Sequence, residues 1–237
     1  MNLLFLVLLN INSPVELFNQ GNEYYKNGDY HSAITCYEQA LRLCPNKDIH
    51  YNLGNAYFKA SKLGKAIAQY RRARLLAPRD QDIIYNLNFL RRYRIDKTEE
   101  PKNPIIYFLS QIFHYFSITE ASILAGIFFF FSAILISLEI IFKTRFLNIL
   151  LIFTALGFLY FVITFMVWHA ERNGQYCVII NPEIKAYSGP GAGYKEILII
   201  HDGAEAKIRE ERGGYYLIQL PGGIGAWVDS SNVEIIY

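Results

Sequence analysis

The chain has 237 residues and a formal net charge of only +2, and 52% of its residues are hydrophobic. This length allows one or two soluble domains beside any membrane segment, and the weak charge gives no electrostatic case for nucleic acid as a partner. The three cysteines cannot complete a disulfide framework. Cys36 and Cys44 are too far apart along one predicted helix to bond, so both are predicted to be small buried hydrophobic residues.

The first predicted element is a signal peptide in residues 1–13. The stretch from Leu3 to Ile11 is apolar but too short to span a membrane, which suits the hydrophobic region of a secretion signal. No Lys or Arg precedes it and no clear small-residue cleavage site follows it. The alternative is a frayed hydrophobic N-terminus.

Residues 14–97 contain an internal repeat with a period of 33 residues. Six pairs recur at this spacing: Gly21 and Gly54, Tyr24 and Tyr57, Ala33 and Ala66, Tyr37 and Tyr70, Ala40 and Ala73, and Pro45 and Pro78. Small residues let two helices approach closely, aromatic residues fill the gaps, and proline ends the second helix. The pattern resembles the tetratricopeptide repeat, which implies an all-α solenoid. The segment YNLNFLRRY at 85–93 begins a third unit, which predicts two repeats and a capping helix.

Asparagines recur on the first helix of each unit. Asparagine is a mediocre helix former, so its repetition at matching positions calls for a reason. In the tetratricopeptide family this face lines a concave groove, and a side-chain amide could hold the backbone of an extended peptide there. The predicted peptide-binding residues are Asn19, Asn22, Asn52, Asn55 and Asn86. The alternative is that they are solvated polar residues without a ligand.

Some members of that family bind a C-terminal carboxylate with two asparagines flanked by cationic residues. Asn22 and Asn52 match those asparagines. Phe18, Asp82 and Asn86 stand where the cations would be. Capture of a C-terminal carboxylate is therefore not expected here.

Residues 98–117 are predicted to be a linker or interfacial segment, followed by two transmembrane helices at 118–142 and 146–168. Charged residues are absent from 121–138 and from 146–168, stretches long enough to cross a bilayer. Ser117 and Glu120 have the spacing of a capping box, and Glu139 precedes Lys143 by the four residues of a helical ion pair. Because no charge lies deep in either span, the pair is predicted to be a plain anchor.

The link between the two spans is FKTRF, residues 142–146, which is short enough to force a hairpin. It carries Lys143 and Arg145, and positively charged loops stay in the cytoplasm. Trp168 and His169 at the end of the second span fit an interfacial belt. The sequence therefore predicts a bacterial inner-membrane protein whose two soluble domains face the periplasm.

Residues 173–237 are predicted to form an all-β domain. Five short β-rich runs (CVII, KEILII, EAKIREE, YYLIQL and GAWV), closed by VEII, alternate with turn residues, which is typical of a small antiparallel barrel. Their order, with a Ser-Gly-Pro loop, a His-Asp-Gly turn and Gly-x-Trp-Val, resembles the bacterial SH3 domain. Trp227 is predicted to lie in the core beside Tyr216 and Leu220. Tyr187 and Tyr194 are predicted to be exposed.

Two ligand classes are not expected of this domain. Asp229 and Asn232 stand near the positions where proline-binding relatives have Pro and Tyr, which argues against a polyproline ligand. The stretch SGPGAGYK at 188–195 lacks the adjacent Gly-Lys of a phosphate-binding loop and is followed by a strand, so a barrel loop is predicted.

The sequence carries no motif of an active site. The five histidines are scattered without metal-ligand spacing, and neither a nucleophile elbow nor a Cys–His pair is evident. We therefore expect no enzyme activity, no cofactor and no metal.

The whole order of signal, tetratricopeptide repeats, transmembrane hairpin and SH3-like domain resembles the BatE family of bacterial aerotolerance operons. That resemblance implies a scaffold for an aerotolerance or envelope-stress complex, with von Willebrand A-domain membrane proteins and a MoxR-type ATPase as partners. The predicted function is thus a non-enzymatic inner-membrane scaffold that binds protein partners through its periplasmic tetratricopeptide repeats and its SH3-like domain. The alternatives are a cell-wall anchor whose SH3-like domain binds peptidoglycan, and an adaptor that faces the cytoplasm.

Overall fold

The computed structural model describes residues 13–96 and 103–236. The predicted signal peptide therefore lies outside the described residues except for Ser13, which caps the first helix. Within the described part, one compact unit contains residues 13–74, 80–96 and 176–236. We call it the repeat–sheet unit. Residues 75–79 and 103–175 form a second, which we call the hairpin unit.

Five helices form the solenoid of the repeat–sheet unit: α1 Pro14–Lys26, α2 Tyr30–Leu43, α3 Lys47–Lys59, α4 Leu63–Leu76 and α5 Gln81–Arg91. Side-chain caps fix most of their starts. Ser13 and Glu16 form a reciprocal capping box on α1, and Asp29, Asn46 and Asp80 each accept a backbone N–H at the start of the next helix along. Each cap satisfies donors that a helix start leaves without a partner.

The repeated spacing of small and aromatic residues is explained by contacts within each helix pair. A Cβ atom added to Gly21 would lie 2.6 Å from the ring of Tyr37, and one added to Gly54 would lie 3.2 Å from the ring of Tyr70. Glycine therefore lets each tyrosine pack directly on the backbone of the preceding helix. Asn88 holds the matching position of α5 and is exposed, since no helix follows α5 within the described part of this unit.

The hairpin unit contains α6 Pro104–Phe113, α7 Ile118–Phe142 and α8 Arg145–Arg172. The last two are long and apolar enough to cross a membrane, and only 6% and 11% of their most apolar windows are buried, unlike the core helix of a soluble protein. α7 has the predicted bounds and the predicted capping box of Ser117 and Glu120. α8 is longer than predicted at both ends.

The contact predicted for Glu139 differs from the one in the structure. Glu139 accepts a hydrogen bond from the backbone N–H of Thr144 at 3.2 Å. Lys143 ends α7 in the left-handed conformation, with φ 49°. This turn takes the lysine off the helical face on which an ion pair four residues away would form.

The β domain is a seven-stranded antiparallel sheet with the order β3-β2-β6-β5-β4-β1-β7. Its strands are β1 Tyr176–Ile179, β2 Glu183–Tyr187, β3 Glu196–His201, β4 Glu205–Arg212, β5 Tyr215–Gln219, β6 Gly225–Asp229 and β7 Val233–Ile235. Branched and small side chains from all seven strands share one core. Register shifts after Ala186 and Ile208 are the bulges that bend the sheet around it.

Several details of the β domain correct the sequence prediction. The described sheet is open, with β3 and β7 as its edges, and is not a clearly closed barrel. The prediction overlooked β2, a strand of only five residues, EIKAY, in which exposed and buried side chains alternate. Trp227 is buried as predicted, but its cross-strand partners are Leu217 and Tyr187. Tyr187 is consequently half-buried, whereas Tyr194 is exposed.

The three cysteines also divide differently from the prediction. Cys36 and Cys177 are buried, and Cys44 is exposed. Cys44 is exposed because it lies at the C-cap of α2, in extended conformation, beyond the last turn that packs against the repeat. Burial raises the pKa of the Cys177 thiol to about 12.

Candidate binding site on the repeat helices

A cavity of about 180 Å³ opens where the first helices of the two repeats meet. It is lined by Asn22, Tyr25, Lys26, Tyr37, Asn52 and Asn55. Three of the five sequence-predicted asparagines thus come together. Asn86 lies further along, where its amide donates to the hydroxyl of Tyr51 at 2.8 Å. Asn19 is exposed on α1 and is not one of the cavity-lining residues.

Buried tyrosines fix the direction of the asparagine amides. The Tyr37 hydroxyl donates to Oδ1 of Asn22 at 2.7 Å, and the Tyr70 hydroxyl donates to Oδ1 of Asn55 at 2.5 Å. Burial raises the pKa of both tyrosines, so each hydroxyl keeps its proton and acts as a donor. Asn52 Nδ2 donates to the same oxygen of Asn22 at 2.9 Å.

These bonds determine what the site can offer a ligand. The amide oxygens of Asn22 and Asn55 are already used within the protein, which leaves their NH₂ groups as the available donors. Lys26 at the rim makes an exposed ion pair with Glu23 at 2.9 Å. The arrangement suits neutral acceptors such as the carbonyl groups of a peptide backbone better than a free carboxylate.

Aromatic side chains continue along the same helices, and the sequence prediction did not include them. Tyr51 packs edge-on against Tyr70, and Phe58 packs against Phe89 of α5 and Tyr93 just after it. Tyr85, Phe89 and Tyr93 form a row at every fourth residue, with ring contacts of 5.0–6.5 Å. The signal was in the sequence: aromatic residues occupy matching positions of the repeats, as Tyr25 and Phe58 do at an offset of 33.

A second surface of the solenoid, formed by α4 and the end of α5, is covered by the β domain. Glu205 at the start of β4 makes ion pairs with Arg71 at 3.2 Å, Arg91 at 2.7 Å and Arg94 at 3.3 Å. Burial by itself would raise the pKa of Glu205, but these three guanidinium groups lower it to about 2. Its charge is thus stabilised inside the contact.

The start of α4 is capped from the β domain. Oδ1 of Asp202 accepts the backbone N–H of Gly64 at 2.8 Å, across 138 residues of sequence. A Cβ atom added to Gly64 would lie 1.9 Å from the carbonyl oxygen of Ile179. Burial raises the pKa of Asp202, while hydrogen bonds from Gly64, Leu63 and Gly203 oppose that rise. The helix start and the sheet are therefore in direct backbone contact.

Further polar contacts extend the same surface towards β7 and β3. Arg72 makes an ion pair with Glu234 and donates to the backbone carbonyl of Ile236 at 3.2 Å. The carboxylate of Asp96, after α5, accepts the backbone N–H of His201 at 2.7 Å. Since side chains of the solenoid bind main-chain atoms of the sheet here, the contact holds the two parts in one register.

In the described part of the chain, no group of three or more His, Cys, Asp and Glu residues is placed to hold a metal ion. The cluster around Glu205 contains one carboxylate and three cations, which is the wrong charge for a cation ligand set. The chemistry displayed by the groove is hydrogen bonding and aromatic packing.

The solenoid and its groove define a helical repeat protein of the kind that binds other proteins. Comparison with protein families identifies the repeats: a family model described as "TPR repeat" matches residues 21–61, and one described as "Tetratricopeptide repeat" matches residues 48–80. The chain therefore contains tetratricopeptide repeats, as the 33-residue spacing predicted.

Among solved structures, the crystal structure of yeast Tom70 is similar to this chain at 15% sequence identity, with a TM-score of 0.33. The match covers 77% of this chain and 31% of Tom70, so the chain spans about a third of the length of that structure. Comparison with curated proteins gave no significant match.

Proposed function

We propose that this protein is a non-enzymatic membrane scaffold whose repeat groove holds an extended segment of a partner protein. The observation that carries the proposal is the orientation of the amides in the cavity. Tyr37 and Tyr70 donate to the amide oxygens of Asn22 and Asn55, which leaves the two NH₂ groups as donors for backbone carbonyls. Because backbone carbonyls are common to all peptides, such a site would select for an extended conformation, and the neighbouring aromatic rings would select side chains.

The packing of the repeats against the β domain supports a two-span anchor. The repeats precede α7 and the β domain follows α8 in sequence, yet both belong to one compact unit. Two antiparallel spans return the chain to the side of the membrane from which it left, so the β domain can pack against the repeats. With Lys143 and Arg145 in the turn, the positive-inside rule places the repeat–sheet unit in the periplasm and the protein in a bacterial inner membrane.

The proposal extends to a cellular setting through the order of the domains. Repeats, a transmembrane hairpin and a C-terminal β domain resembling the bacterial SH3 fold are the layout of the aerotolerance-operon family. On that resemblance we propose a scaffold in an envelope-stress complex, with von Willebrand A-domain membrane proteins and a MoxR-type ATPase system as its partners. The open sheet packs on the repeats, and we assign it the role of stabilising the groove-bearing helices.

The decisive experiment reverses the polarity of the groove without changing its shape. In Asn22→Asp/Asn55→Asp, the tyrosine hydroxyls keep their acceptors, but each outward NH₂ donor becomes a carboxylate oxygen. We expect at least a tenfold loss of partner recovered with the full-length protein from membranes, since one lost hydrogen bond is worth about 1.4 kcal/mol. Asn88→Asp, exposed on α5, is the matched control. Full partner recovery with the double variant, at unchanged helicity, would refute groove binding.

A further inference from the structure

Helix α6 carries a stripe of apolar side chains that have no cover in the described part of the chain. Ile105, Phe108 and Leu109 are 69%, 64% and 44% exposed. Their spacing of three and four residues places them on one side of the helix. Soluble proteins rarely leave a continuous apolar face of this kind open to water.

Hydrogen bonds hold the C-terminal end of α6, and the turn after it, against α8. The hydroxyl of Tyr160 donates to the carbonyl oxygen of Ile112 at 2.9 Å, and Nε1 of Trp168 donates to that of Phe116 at 2.7 Å. His114 Nε2 lies 2.7 Å from a carboxylate oxygen of Glu171. These contacts make α6 a part of the hairpin unit and hold its C-terminal end beside the polar C-terminal end of α8.

The surroundings of that end have the composition of a membrane–water boundary. Phe113, His114 and Phe116 pack on Tyr160, Phe161 and Trp168 in a cluster of rings. Arg79 lies over the rings of Tyr115 and Phe116 and makes an ion pair with Glu120. Aromatic residues beside charged ones mark the level of the lipid headgroups.

We propose that α6 lies in the plane of the membrane interface, with Ile105, Phe108 and Leu109 inserted among lipid acyl chains. The occupant of the exposed stripe is lipid because the helix that carries it is held at the aromatic end of the two apolar spans. The contact is apolar, so it needs no anionic lipid. This inference rests on the proposed membrane insertion of α7 and α8.

Site-directed spin labelling of the full-length protein in phosphatidylcholine vesicles tests the proposal. The background is Cys44→Ser, because the other cysteines are buried. Labels go to Leu109→Cys on the stripe, to Gln111→Cys, an exposed polar position at the edge of the stripe about 160° from Leu109, and to Phe130→Cys within α7. Collision with oxygen reports lipid, and collision with a water-soluble nickel chelate reports water.

We expect the labels at positions 109 and 130 to collide preferentially with oxygen and the label at 111 to collide preferentially with the nickel chelate. Equal nickel collision at 109 and 111, with 130 in lipid, would overturn the interfacial helix and leave the membrane anchor intact. Nickel collision at 130 would overturn both. Replacing phosphatidylcholine by a mixture with anionic lipid should leave the ratio at 109 unchanged.

Discussion

At the scale of single residues, Glu205 shows how a buried charge joins two parts of the chain. Its side chain is only 14% exposed, and three guanidinium groups surround it. A buried ion pair is a weak source of net stability, but removing one partner leaves uncompensated charge in a site that is largely shielded from water. The arginines therefore make the loss of Glu205 far more damaging than the loss of an exposed glutamate of the same strand.

Replacing Glu205 by glutamine should lower the free energy of unfolding of the repeat–sheet unit by about 3 kcal/mol, because Arg71, Arg91 and Arg94 would lose their counter-charge. Denaturant unfolding of the full-length protein in detergent, followed by circular dichroism, measures the change. Glu211→Gln, exposed on the same strand, is the control and should stay within about 0.5 kcal/mol of wild type. Equal midpoints for the two variants would contradict the role given to Glu205.

The same residue predicts a dependence on pH. Its folded pKa of about 2 lies below the ordinary value of 4.5, so its contribution to stability is complete above pH 4.5 and is lost as the pH falls towards 2. Wild-type protein should lose more stability between pH 5 and pH 3 than Glu205→Gln does. The measurement is the denaturant midpoint of both proteins at the two pH values, and parallel losses would count against the prediction.

At the scale of secondary-structure elements, α4 depends on a residue from another domain. The chain enters this helix through Ser61, at φ 59°, and Lys62, and the carboxylate that accepts the N–H of Gly64 comes from Asp202. Negative charge at a helix start also interacts favourably with the helix dipole. Docking of the sheet thus supplies the carboxylate that accepts this N–H at the start of the second helix of the second repeat.

Asp202→Ala should lower the stability of the unit by about 1–2 kcal/mol, the usual effect of losing an N-cap. Asp202→Asn should recover most of that loss, because the amide oxygen can still accept the N–H of Gly64. Thermal unfolding of the three proteins makes the comparison. An asparagine variant as unstable as the alanine variant would show that the contact is not a cap.

Gly64→Ala should weaken the same contact by steric overlap. The new methyl group would lie 1.9 Å from the carbonyl oxygen of Ile179, a main-chain atom that cannot turn aside. We expect a loss of about 1–3 kcal/mol, typical of overpacking, seen as a lower unfolding midpoint. Gly193→Ala, whose Cβ would meet nothing within 4 Å, is the control. Unchanged stability of Gly64→Ala would argue against close docking.

At the scale of the whole molecule, local patterns were predictable and remote contacts were not. The repeats follow from a fixed 33-residue spacing, and α7 follows from an uncharged run between a capping box and a basic turn, since both signals lie within one element. Glu205, by contrast, is one of three glutamates in residues 205–211 that look alike in sequence. What distinguishes it is three arginines more than 100 residues away.

The candidate groove was predictable in part for the same reason. The asparagines repeat with the helices and could be predicted from their spacing. The tyrosine hydroxyls that donate to their amide oxygens could not. The repeat spacing explains Tyr37 and Tyr70 by their packing against Gly21 and Gly54. It does not show that their hydroxyl groups also donate hydrogen bonds to the asparagines. The direction of an amide depends on three-dimensional contacts.

The central claim is that a two-span hairpin anchors a single repeat–sheet unit on the outer face of the inner membrane. Protease protection on spheroplasts, with one tag near the N-terminus of the repeats and one at the C-terminus, tests it most directly. We predict that added protease removes both tags while a cytoplasmic control protein survives. Protection of both tags would place the unit in the cytoplasm, and loss of only one would contradict the hairpin itself.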